Sequence, residues 1–302
     1  MTANTANTAN TANTANTANT ANAGISGDSG GGWYLPDRVD LPFVSDLDTT
    51  GPLRDLVIDR GLHNFQDRDW AAKWFAYQLL VELAATTGAN GWLTLSVAAV
   101  EDVWDDDVSI VKTREEIKEL VRAARDERAE ALGEILSQDA EFITDFMSVL
   151  NITPGSHGKT YRLLHAASLI ALFAGQYFKG VHDHTRDRPR PSQVCPALMP
   201  PIPLPGHASF PSGHATQAYL IAFCIEHLLT GKLGGAFLTR NAKVLARRIG
   251  RNREIAGLHY PSDTKAGEAL ALALVTALKA SAADTPKFHA LITAAKTEWP
   301  AP

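Results

Sequence analysis

PGHASFPSGHATQAYLIAFCIEHLL, residues 205–229, changes character partway along. Up to Pro211 it carries the prolines and the glycine of a stiff loop. From Ala215 to Leu229 it is strongly apolar and free of helix breakers, which marks a loop running into a buried helix. The loop reaches back to Arg186 through a proline-rich stretch in which neither a helix nor a central strand is expected to persist. Further out the pattern is helical again. Arg162–Val181 is a strongly apolar run, Arg240–Arg251 a basic one, Thr264–Ala280 is rich in alanine and leucine, and Trp70–Ala85 adds another upstream. Thr113 with Glu116 has the form of a capping box ahead of Ile117, Leu120, Val121 and Ala124, with Glu115, Lys118, Glu119 and Arg122 as a solvated face. Alternating strand patterns are scarce. The fold expected is all-α, a helical bundle crossed at one end by one long proline-stiffened loop, the kind of loop that often carries function.

Composition narrows the class. With 302 residues, 45% hydrophobic and 20% charged, and a net charge of −5, the chain reads as a soluble globular protein without the basic excess of a nucleic-acid binder. Cys195 and Cys224 are too few and too far apart for a disulfide framework or a CxxC site, and are read as reduced structural thiols. The most apolar segment, Leu163–Phe178, contains His165 and Gln176, so no membrane span is expected. Residues 2–22 are seven Thr-Ala-Asn repeats, and Gly24–Gly32 continues their flexible character. Residues 1–32 are therefore read as a disordered low-complexity tail and 33–302 as a single all-α domain, since no linker-like composition interrupts it. The repeats have no basic start and no long apolar segment, so they fail as a secretory signal, and cytoplasmic residence is the default expectation.

The chemistry-bearing residues fall in three groups. Pro211-Ser212-Gly213-His214 stands at the start of the apolar helix, where a hydroxyl, the glycine amide and first-turn amides converge on a place that favours an anion, and His214 can supply a proton. Further on, Arg253, His259 and Asp263 offer a fixed cation, a nucleophile and a carboxylate to orient the imidazole. Upstream, Lys179, Arg186, Arg188 and Arg190 supply further cations for an oxyanion.

These segments resemble the motifs of the superfamily of type 2 phosphatidic acid phosphatases and vanadium haloperoxidases. The second family motif is matched by Pro211–His214, and the third by Arg253, His259 and Asp263 at the family's spacing, with Asn252 where serine is usual. The first, a lysine, six residues and Arg-Pro, is disturbed: six residues after Lys179 come Arg186 and Asp187, while Arg188-Pro189 and Arg190-Pro191 have Val181 and Asp183 where the lysine would stand. The proline pattern selects Arg188 or Arg190 as the family arginine.

The resemblance implies a helical bundle of the acid phosphatase and haloperoxidase type, with the motifs in 179–263, and a shared oxyanion site with two uses. In the phosphatases the residue matching His259 forms a phosphohistidine, the one matching His214 protonates the leaving oxygen and then activates water, and Asp263 would hold His259. In the haloperoxidases the same residues, with vanadate bonded to the His259 equivalent, use hydrogen peroxide to oxidise halide. His207 stands where bromide-using members carry an extra histidine, and the His214-Ala-Thr-Gln217 continuation is similar to theirs.

The leading expectation is a phosphatase acting on a water-soluble phosphomonoester without cofactor or metal, with Lys179, Arg188, Arg190, His207, Ser212, Gly213 and Arg253 binding phosphate. The alternative is a vanadate-dependent bromide-type haloperoxidase, against which the short chain counts. A third is a non-catalytic oxyanion-binding protein, motivated by the disturbed first motif. A homo-oligomer fits any of them. His182 and His184 lack a metal-ligand spacing and are read as a solvated helix end, the Trp104–Asp107 run as a solvated or helix-start cluster, and Arg247, Arg248 and Arg251 as surface.

Overall fold

The structure, a computed structural model, describes residues 70–87, 91–95, 106–181 and 188–301. The Thr-Ala-Asn tract, Trp104, Asp105, His182, Asp183, His184, Arg186 and Asp187 lie outside the described residues. In chain order the α-helices are α1 Ala72–Ala85, α2 Asp106–Asp126, α3 Arg128–Ala140, α4 Ile143–Leu150, α5 Gly158–Val181, α6 Pro191–Val194, α7 Gly213–Leu229, α8 Gly235–Ile255, α9 Pro261–Ala280 and α10 Pro286–Lys296. Short 3₁₀ turns lie at Trp92–Thr94 and Pro196–Leu198, and no strand occurs among the described residues, so the fold is all-α.

α7 is the axis of the bundle. Every residue from Ala215 to Ala222 is buried, because α5, α8 and α9 all pack against it. α1 and α10 cover α5, while α2, α3 and α4 pack against α8. One apolar cluster runs through these elements, from Phe75 and Leu79 of α1 through Leu164 and Ile170 of α5 to Leu220 and Leu274 of α7 and α9. Two glycines set the helix spacing. A Cβ on Gly250 of α8 would stand 2.7 Å from the Thr264 methyl, and one on Gly267 of α9 would stand 2.8 Å from the Ser212 carbonyl oxygen. Gly257, at φ +78°, makes the reversal between α8 and α9, a conformation that costs glycine little.

Several boundaries differ from the sequence expectation. Thr113 and Glu116 do not open a helix: α2 starts at Asp106, which places the Asp106-Asp107 end of the acidic run at a helix start, and Glu116 lies mid-helix with its carboxylate used elsewhere. The proline-rich loop carries the four-residue α6 and a 3₁₀ turn, because Pro191 and Pro196 sit at first helical positions, where the missing N–H has no intrahelical partner to lose. α3, α4 and α10 went unanticipated.

Candidate active site

Four helix ends meet at one end of the bundle. α5 and α8 bring their C-terminal turns, with Lys179 and Arg253, and α7 and α9 bring their N-termini, with Ser212-Gly213-His214 and Asp263. The proline-rich loop closes over them with Arg188, Arg190, His207 and Ser209.

His259 precedes α9 by two residues and is only 3% exposed. Its Nδ1 lies 3.3 Å from Asp263 Oδ2 and 3.5 Å from Ser209 Oγ, and its Nε2 lies 3.3 Å from Arg190 Nη1. A carboxylate on one nitrogen and a guanidinium donor on the other assign the proton to Nδ1 and leave a lone pair on Nε2. Burial and the Arg190 charge pull the imidazole down to about 3, against the opposing pull of Asp263, so the ring is neutral at ordinary pH.

Asp263 is fully buried and fully engaged. Oδ1 accepts from Arg188 Nη1 at 2.6 Å, and Oδ2 accepts from Ser209 Oγ at 2.5 Å and from the Tyr260 amide at 3.0 Å. The last bond caps α9, so the residue that holds His259 also starts the helix behind it. Burial alone would raise its carboxyl, but Arg188, His259 and Ser209 outweigh it and hold the group below the usual carboxylate range.

His214, in the first turn of α7, puts Nε2 3.3 Å from the Gln138 carbonyl and its ring beside Phe142, which leaves Nδ1 as the basic nitrogen. Burial, then Arg253 and His259, lower it well below an ordinary histidine. Gly213 and His214 are the first helical residues, so their amides have no acceptor within the helix. Ser212 caps α7, its Oγ accepting from the Ala215 amide at 3.4 Å.

The cations divide into two kinds. Lys179 is spent on the protein: Nζ donates to the carbonyls of Ala208 at 2.9 Å, Ser209 at 3.0 Å and Pro211 at 2.5 Å, and burial and Arg190 lower its ammonium well below normal despite Asp263. Arg188 lies 3.8 Å over the Tyr260 ring and bonds Asp263, Ser262 and Glu116. Arg190 instead faces the histidines, with Nη1 on the Leu258 carbonyl at 2.9 Å and Nη2 3.2 Å from His207 Nδ1. Arg253 donates to the Ile135 carbonyl at 2.7 Å and to Asp139 Oδ1 at 3.3 Å. Burial lowers Arg190 and Arg253 to about 10, and the buried Nε of each has no hydrogen-bond partner among the described residues. His207 is pulled to about 4 by burial, Lys179 and Arg190, against its bond to Ala208. Beside it a cavity of ≈590 Å³ opens between Arg188, Pro189, Gln193, Pro205, Gly206 and Ala208.

Sequence reasoning missed the second layer. The C-terminal turn of α3 supplies Ile135, Gln138 and Asp139 to Arg253 and His214, Ser209 bonds Asp263, and Glu116 bonds Arg188. None of these has a motif; the signal for α3 was its apolar spacing at Ala131 and Ile135, too weak to stand alone. Asn252 uses its amide to bind Glu134 and Gln138, tying α8 to α3. Arg248 and Arg251, read as surface, pair with Glu134 of α3 and with Glu119, Glu127 and Glu254 respectively. Among the described residues no group of three His, Cys, Asp or Glu side chains is arranged to hold a metal ion, and both cysteines are free thiols.

Residues 164–285, which span every one of these motif residues, match the family model described as the PAP2 superfamily. The match covers under half of the chain and agrees with the resemblance of its motifs to the type 2 phosphatidic acid phosphatase superfamily, whose members are generally phosphatases acting on phosphoesters. No curated protein matches the chain. No helix among the described residues is long and apolar enough to cross a membrane.

Proposed function

We propose that the protein hydrolyses a water-soluble phosphomonoester through a phosphohistidine at His259. The observation that carries this reading is the setting of that one ring: Nδ1 on Asp263, Nε2 on Arg190, and neutral, with His214 near enough that a charge on either ring disfavours one on the other. The Nε2 lone pair attacks phosphorus while the bond to the ester oxygen breaks, and His214 delivers a proton to that oxygen. The imidazole gains positive charge as the P–N bond forms, and Asp263, held ionised, stabilises it. Water then attacks phosphorus, His214 takes its proton, the P–N bond breaks and phosphate leaves with His259 neutral again.

Arg190 and Arg253 are the clamp cations in this scheme, joined by the Gly213 and His214 amides. Each such preorganised donor is worth on the order of 3–4 kcal/mol to the transition state. Lys179 and Arg188 act behind them, the lysine fixing the 208–211 loop and the arginine fixing Asp263. Arg190 is parked on Nε2 and His207, and an arriving phosphoryl group offers it a stronger acceptor, freeing the lone pair. The substrate's negative charge also raises His214, which supplies the proton that the free site does not hold at neutral pH. The cavity beside His207 receives the leaving group.

Hydrolysis of an aryl phosphate by the wild type and by His259→Ala, from acidic to neutral pH and with and without orthovanadate, tests this. Turnover that vanadate blocks, that the substitution abolishes and that survives a strong chelator supports it; absence of turnover in the wild type sinks it.

One observation favours a second use of the same residues: His207 and His259 share Arg190, one on each terminal nitrogen. Vanadate would fit the donors of Arg190, Arg253 and the α7 amides, with His259 Nε2 as its protein ligand. When bound it supplies peroxide activation for halide oxidation. Vanadate-dependent bromide oxidation in the samples that fail to hydrolyse the ester would select this use.

A further inference from the structure

Glu116 comes from α2, an element with no motif residue, yet its carboxylate ends at the far side of Asp263. Oε1 accepts from the Ser262 amide at 2.7 Å, and Oε2 accepts from Ser262 Oγ at 3.1 Å and from Arg188 Nη2 at 2.9 Å. Arg188 Nη1 carries the connection on to Asp263 Oδ1 at 2.6 Å, and Asp263 Oδ2 lies against His259. The side chain of Glu116 is 16% exposed and that of Arg188 2%, so neither charge is washed out by solvent.

We propose that Glu116 is a positioning residue for the reaction at His259: it takes a share of the Arg188 charge, so that Asp263 keeps enough negative charge to stabilise the imidazole as it turns cationic. The proposal rests on His259 being the nucleophile. Among the described residues two carboxylates flank the Arg188 guanidinium, leaving one net negative charge to face the ring. Without the charge on Glu116, Asp263 is the one described carboxylate left to offset Arg188. His259 then faces an almost neutral pair on one side and, on the other, Arg190 and Lys179, both of which disfavour a cationic ring. Glu116 also binds the Ser262 amide in the first turn of α9, so loss of a helix cap is the competing explanation and has to be separated from it.

Glu116→Gln keeps the size of the side chain and an acceptor for the Ser262 amide while removing the charge. It is expected to lower kcat for an aryl phosphate about tenfold, the equivalent of one pKa unit of interaction, with KM nearly unchanged. At neutral pH the His259 Nδ1 proton, followed by NMR, is expected to move upfield as Asp263 becomes a poorer acceptor. A folded variant with wild-type kcat and an unmoved proton signal overturns the proposal. So does a variant whose kcat and thermal midpoint both fall while the signal stays, since that is the behaviour of a lost cap. If Glu116→Gln does not fold, Glu116→Asp retains the charge and is expected to keep kcat and the signal close to wild type; a tenfold loss with the signal unmoved counts against it. Should the wild type hydrolyse no phosphomonoester, the nucleophile reading fails, and the proton signal still decides whether Glu116 acts on the Asp263–His259 pair.

Discussion

Replacing Gly267 by alanine puts a single methyl group where the starts of α7 and α9 meet. Its Cβ would stand 2.8 Å from the Ser212 carbonyl oxygen, 2.9 Å from Ala215 Cβ and 3.0 Å from the Thr216 nitrogen. Carbon contacts settle at about 3.5–4.0 Å, so one helix has to shift by roughly 0.5–1 Å. The atoms it meets are backbone or Cβ, and no rotamer can relieve them. Overpacking of this kind costs about 1–3 kcal/mol, which for a helical bundle of this size lowers the thermal midpoint by roughly 3–10 °C. The larger effect falls on the site. Ser212, Gly213 and His214 ride on the end of α7 that has to move, and a displacement near 1 Å in a positioned group costs about a hundredfold in rate. The assay is kcat for an aryl phosphate beside a thermal melt of Gly267→Ala. Gly133→Ala at an exposed position of α3, where an added Cβ meets nothing within 4 Å, is the control and is expected to leave both unchanged or the melt slightly raised. Wild-type turnover and melting in Gly267→Ala would refute the claim that this close approach sets the position of the oxyanion donors.

Other outcomes follow from single groups. Lys179→Met strips the donor from three carbonyls at once, and with each unsatisfied buried acceptor costing about 1–3 kcal/mol, stability is expected to fall with activity; a variant that melts like the wild type would contradict the structural role of Lys179. Arg190→Lys should do the reverse, losing kcat by more than about a hundredfold with little change in melting, because an ammonium cannot bridge His207, His259 and a phosphoryl group in one plane. His165, fully buried with both ring nitrogens unpartnered among the described residues, is held at about 4 by burial. Its folded value lies below the unfolded ~6.5, so its contribution is complete above that pH and is lost as pH falls toward 4, about 3 kcal/mol in all at roughly 1.4 kcal/mol per unit. Urea midpoints at pH 7, 5.5 and 4.5 should therefore fall less steeply for His165→Phe than for the wild type; parallel curves would be inconsistent with this.

The sequence carried the fold class because the long apolar runs of α5, α7 and α9 and the prolines between α5 and α7 leave no other periodicity to assign. It carried His214, Arg253, His259 and Asp263 as a group because their spacing repeats a family pattern, and the structure brings them together at the ends of α7, α8 and α9. It could not separate Lys179, Arg188 and Arg190, since three cations near one loop are alike in sequence. What distinguishes them is which acceptors they meet: carbonyls for Lys179, carboxylates for Arg188 and histidines for Arg190. Glu116 shows a different limit. Its position after Thr113 satisfies a local capping rule, but α2 extends seven residues further upstream and the carboxylate is taken by partners 72 and 146 residues away in the chain. Local patterns are blind to such contacts, and so the support behind the site was invisible while its front was legible.

The most direct test of the account is a rapid acid-free quench of the wild type with a phosphate-labelled aryl ester, followed by digestion and mapping of the label. A label that is stable to alkali, lost in acid and carried by His259 is the predicted result, and it should be absent from His259→Ala. Turnover without any labelled intermediate, or a label on another residue, would contradict His259 as the nucleophile.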